Sequence, residues 1–114
     1  MAILDDKIKL VVEEFKKRAL TLLSGKIYLI EVFGSFARGE ARENSDLDLM
    51  VVVERPASQT YRSLHSLAID ILFDTGVFIS LKIVDRASYN RMERMGAAFL
   101  KNVRPDAIEL WRAA

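Results

Sequence analysis

Cysteine is missing from all 114 residues, which removes disulfides, thiolate nucleophiles and cysteine-ligated zinc at once and fits a reducing cytoplasm. Proline occurs twice and glycine five times, with no repeat, no low-complexity tract and no stretch long enough to act as a linker. One domain over residues 1–114 is therefore expected. An excess of charge is also lacking. Seventeen Lys and Arg stand against sixteen Asp and Glu, and a net charge of +1 gives no reason to expect direct nucleic-acid binding or attraction to a membrane. No apolar run approaches the ~18–20 residues of a membrane span. The opening MAILDDKIKL carries acidic residues where a signal peptide needs an apolar core. The expectation is a soluble, cytoplasmic protein with no membrane role.

What is present is a well-patterned, 51% hydrophobic chain. Leu4, Ile8, Val11, Val12, Phe15, Ala19 and Leu22 recur at helical spacing, predicting an amphipathic helix over about 4–23 that stops at Ser24-Gly25. Ile27 to Phe33 is rich in β-branched and aromatic residues and predicts a strand ending in Gly34-Ser35. Ala37 to Ser45 reads as a turn or brief helical loop. Leu47 to Val53, nearly all apolar, predicts a central strand covered on both faces. A helix follows over about Thr60 to Phe73, with Tyr61, Leu64, Ala68, Ile71 and Leu72 as its buried stripe and Ile69 as an apolar outlier open to a protein contact. His65, at the border of that stripe, reads as structural or surface. A third strand is expected over Val77 to Val84, then a helix from Ser88 broken near Pro105 and a short last element reaching Trp111. This order predicts an α/β (α+β) fold, a small mixed sheet flanked by helices. Gly34 and Gly39 do not make a dinucleotide-binding G-x-G-x-x-G pattern.

The chemistry concentrates between Gly34 and Val52. Asp46 and Asp48 flank Leu47 at the mouth of an apolar strand, and residues two apart in a strand face the same side, ~6.5–7 Å apart at Cα. Paired carboxylates leaving a buried strand call for a cation. Hard oxygen ligands suit Mg²⁺ (or Mn²⁺), which takes one or two protein carboxylates and fills its shell with phosphate oxygens and water. Gly34 lets a backbone approach a ligand closely, and Ser35 offers a hydroxyl and an amide to phosphate. Arg38 and Arg42 are within reach of triphosphate oxygens.

Gly34-Ser35, ten intervening residues and Asp46-Leu47-Asp48 resemble the G-S-x10-D-x-D signature of the DNA polymerase β nucleotidyltransferase superfamily. The run Gly-Ser-Phe-Ala-Arg-Gly-Glu-Ala with Ser45-Asp46 is similar to the minimal nucleotidyltransferase (MNT) branch, which includes the MntA-type antitoxins of HEPN/MNT toxin–antitoxin pairs. The resemblance implies a polymerase-β-type fold and metal-dependent transfer of AMP from ATP to a hydroxyl of a partner protein, a HEPN toxin. Asp46 and Asp48 would hold the metal, Gly34, Ser35 and Arg38 the triphosphate, and Ser35, Asp46 and Asp48 would form the catalytic set. The acceptor site would be completed by the partner or by a second copy of the chain. The family also implies a third carboxylate on a later strand. The polar mid-strand position that aligns with it is Ser80, while Asp85, Asp70 and Asp74 match less well. That departure opens an alternative: a catalytically weak or inactive MNT antitoxin that neutralises a HEPN ribonuclease by binding it.

Overall fold

The computed structural model describes residues 5–42 and 44–114. Chain order gives α1 (Asp6–Leu22), β1 (Ile27–Phe33), α2 (Gly34–Arg38), β2 (Leu47–Val53), α3 (Ser58–Thr75), β3 (Ile79–Asp85), α4 (Arg86–Arg94), α5 (Ala98–Val103) and β4 (Ile108–Arg112). The strands form one mixed sheet in the order β3-β2-β1-β4. β1 runs antiparallel to β2 and to β4, and β2 runs parallel to β3.

Side chains alternate across a strand, so β2 feeds two cores. Leu47, Leu49, Val51 and Val53 face one side, where Ile8, Val11, Phe15 and Ala19 of α1 pack with Leu64, Leu67 and Ile71 of α3. Met50 and Val52 face the other, with Leu29, Tyr89 of α4 and Leu100 of α5. The first layer is complete. The second covers only part of the sheet, and Asp48 lies on that less covered face.

Local chemistry explains where elements start and stop. Asp5 caps α1, its carboxylate accepting from the Ile8 amide at 2.8 Å. The helix ends at Leu22, one residue before the expected end. Leu22 is exposed and Leu23 takes the buried position instead. Leu4, expected at the start of the stripe, lies outside the described residues. α3 extends beyond both expected ends, buries Leu67 in addition to Leu64, Ala68 and Ile71, and leaves His65 exposed and Ile69 on the surface.

Two expectations are corrected. The turn or brief helical loop expected over Ala37 to Ser45 is a short helix that begins earlier: α2 opens at Gly34 and is closed by Gly39 in the left-handed region. The last third breaks near Gly96, where φ is +61°, and not at Pro105, which falls in the turn after α5. Asp85 caps α4 there, accepting from the Ser88 amide at 3.0 Å and from its hydroxyl at 2.7 Å. No helix among the described residues is long and apolar enough to cross a membrane.

Candidate functional site

The antiparallel register places Phe33 opposite Asp48, so the turn that follows β1 sits over the mouth of β2. Gly34 has φ +74°, and a Cβ added there would collide with Oδ2 of Asp48. The missing side chain is thus what lets the loop and the carboxylate share one space. Ser35 is the second residue of α2, whose N-cap Phe33 makes no side-chain cap hydrogen bond to the first-turn amides.

Asp48 is half-buried and Asp46, one residue before β2, is exposed. Burial is the main force raising the Asp48 pKa, and the neighbouring Asp46 charge adds to it; Arg38 and Ser80 oppose the rise. Both carboxylates, Gly34, Ser35 and Arg38 are therefore brought to one place. The parallel register sets Ser80 directly beside Asp48. The polar mid-strand residue on β3 is thus a neutral hydroxyl beside Asp48. Asp70 and Asp74 turn away to meet Arg18 at 3.7 and 3.8 Å, and Asp85 is engaged as the α4 cap. Among the described residues, no group of three His, Cys, Asp or Glu side chains could hold a metal ion.

Arg38 donates from Nε to Glu40 at 2.9 Å, and Asp106 and Asp48 also act on its charge. Sequence reasoning passed over both partners. Glu40 was legible in principle, since a glycine reversal after Arg38 returns the next side chain toward it. Asp106 was not: it arrives through the pairing of Ile108 with Val32. Lys82, missed as well, shares the Asp48 face and lies 5.1 Å over the Phe99 ring, which stacks edge-on against Phe33. Arg42 sits apart from Asp48, lining a cleft of about 420 Å³ behind the loop together with Lys7, Ile8, Phe36, Ser45 and Phe78.

Two hard oxygen donors with a combined charge near −2 suit a divalent cation, which would relieve both the burial cost and the repulsion raising the Asp48 pKa. A glycine-serine turn thus lies over paired aspartates on a mixed sheet backed by helices. Comparison with known proteins gives the family. The model of the nucleotidyltransferase domain matches residues 8–94, and the chain belongs to that family. A candidate protein adenylyltransferase of Methanocaldococcus jannaschii is 33% identical over 75 residues, 60% of this chain and 76% of that protein. The structure of a candidate minimal nucleotidyltransferase shares 30% identity over 93% of this chain and 97% of its own, with a TM-score of 0.56. A toxin–antitoxin structure with AMP-PNP matches at TM-score 0.59 and 24% identity, over 89% of this chain and 73% of that one. The complex of the tri-AMPylated Shewanella oneidensis HEPN toxin with its MNT antitoxin matches at 0.56 and 21%, over 92% and 72%. At those two identities the likeness is one of fold.

Proposed function

We propose that the chain is a metal-dependent nucleotidyltransferase that moves AMP from ATP to a hydroxyl of a partner protein, a HEPN-type toxin. The observation that carries this reading is the interlock of Gly34 with the Asp48 carboxylate, which ties the phosphate turn to the metal-binding strand in a single rigid corner. The likeness to a candidate protein adenylyltransferase and to MNT antitoxins supports a protein acceptor.

Gly34 and the Ser35 amide and hydroxyl hold the triphosphate, and Arg38 adds charge at its oxygens. Asp46 and Asp48 would hold Mg²⁺ or Mn²⁺, which supplies neutralisation of the charge developing at the α-phosphate. The acceptor oxygen forms a bond to the α-phosphorus as the bond to the β-phosphate bridge breaks. Its electron pair leaves with pyrophosphate, and the hydroxyl proton passes to water. Asp48 fixes the geometry because Gly34 at the start of α2 and Ser80 of β3 flank it.

The test is incubation with α-labelled ATP, Mg²⁺ and the product of the neighbouring gene. Label on the partner, lost in Asp46→Asn/Asp48→Asn, is expected. A complex that forms with no label transferred would overturn the enzyme. It would favour the second reading, an antitoxin acting by binding alone, to which the hydroxyl of Ser80 beside Asp48 gives specific support.

A further inference from the structure

The corner that holds Asp48 also holds its own competitor for the phosphate-binding arginine. α2 is only five residues long, and Gly39, with φ +73°, turns the chain back on itself. The Glu40 amide donates to the Ser35 carbonyl at 2.9 Å, which fixes the Glu40 backbone against the serine of the phosphate turn. From that anchored position the Glu40 carboxylate accepts from Arg38 Nε at 2.9 Å. Arg38 meanwhile lies within the field of Asp48 and of Asp106. A guanidinium within the field of Asp48 is placed to meet phosphate oxygens, yet a carboxylate of the same loop already accepts from its Nε.

Carboxylate and phosphate ask for the same thing from arginine, two oxygens against planar N–H donors. They cannot both have the Nε edge. We propose that Glu40 is a positioning residue that holds Arg38 in the nucleotide-free protein and surrenders it to the triphosphate on binding. The inference rests on the assignment of Arg38 as a phosphate ligand in the function above. One consequence follows from the geometry: the ion pair sets a cost on nucleotide entry, since it must open first. Both side chains are exposed, so the cost is that of a solvated pair.

The experiment is a double-mutant cycle read by calorimetric titration with the α,β-methylene analogue of ATP and Mg²⁺. Glu40→Gln keeps the backbone bond to Ser35 and removes the charge, with Glu40→Ala as a second variant lacking the hydrogen bond as well. Each is expected to tighten the analogue by about two- to fivefold, the range of an exposed ion pair. Arg38→Ala is expected to weaken it, and Glu40→Gln placed in that background is expected to change nothing. Equal tightening in both backgrounds would mean that Glu40 acts only by repelling the triphosphate, and would overturn the proposal, as would no tightening in the wild type. An Arg38→Ala variant that binds the analogue normally removes the phosphate role of Arg38 and the proposal with it. Coupling between Glu40 and Arg38 in a protein that labels no acceptor would leave the proposal standing and overturn only the transfer reaction.

Discussion

At Gly34 two constraints meet that no other residue satisfies. Its φ of +74° disfavours any side chain, and the Asp48 carboxylate fills the space where a Cβ would go. Gly34→Ala is expected to destabilise the fold by about 1–2 kcal/mol from backbone strain alone. It should also displace Asp48, so nucleotide binding is lost along with the melting temperature, as calorimetry and thermal scans would show. Asp48 itself works against stability. A carboxyl whose pKa is higher folded than unfolded holds its proton more tightly in the folded chain. Its contribution is therefore best below the ordinary carboxylate value and is lost as pH rises through the raised one. At neutral pH Asp48→Asn is expected to melt higher than the metal-free wild type, with the advantage shrinking as pH is lowered toward the ordinary carboxylate range. Mg²⁺ should raise the melting temperature of the wild type and leave that of the variant unmoved. Ser80 offers the reverse change. Ser80→Asp would set a third carboxylate beside Asp48, and tighter Mn²⁺ binding, measured by electron paramagnetic resonance, is the expected outcome; Ser80→Asn, of similar size and no charge, should not produce it.

At the level of elements, α1 and α3 make the larger core, while α4 and α5 bound the face that carries Asp48. α1 places Phe15, with no exposed surface, between the sheet and α3. Phe15→Ala should cost about 3–5 kcal/mol in denaturant unfolding. α4 and α5 are shorter and cover the other face only as far as Tyr89, Phe99 and Leu100 reach, which leaves Asp48 and Ser80 accessible. The α4 cap is sensitive to acid. Ser88 lowers the Asp85 pKa through its side-chain hydrogen bond, so this capping contribution is present above the ordinary carboxylate value and is lost as pH falls through the lowered one. Asp85→Ala should lower the melting temperature at neutral pH and make less difference in strong acid.

Across the whole molecule, the sheet order decides where the chemistry lies. β1 and β2 are antiparallel neighbours, so the end of one meets the mouth of the other. β3 lies parallel to β2, so its start brings Ser80 to the same place. The pairing of β4 with β1 closes the opposite flank and delivers Asp106 toward Arg38. A ligand held at such a junction of strands should stabilise the fold as a unit. With the Mg²⁺ complex of the ATP analogue at a hundred times its Kd, the folded state is expected to gain about 2.7 kcal/mol, read as a rise in the denaturation midpoint that Asp46→Asn/Asp48→Asn abolishes.

Much of this was legible along the chain because it depends on periods and short spacings. The nearly unbroken apolar run of Leu47 to Val53 predicted a doubly buried strand, and alternation put Asp46 and Asp48 on one side of it. The three-four rhythm of α1 announced Ile8, Val11, Val12, Phe15 and Ala19 as its buried stripe, and Gly34-Ser35 with Asp46-Leu47-Asp48 marked the candidate site. The end of α1 and the break at Gly96 were less legible, since a helix terminus turns on cap geometry that neighbouring residues contest. Ser80 stood between the two cases: alternation proposed its face, but only the parallel register against Asp48 could put it there. The remaining features were decided by tertiary structure alone. The collision that forces glycine at position 34, the Asp106 charge near Arg38 and the Lys82–Phe99–Phe33 contact each join residues that are close in space because strands pair. Pairing is a property of the assembled sheet that no local run of residues carries.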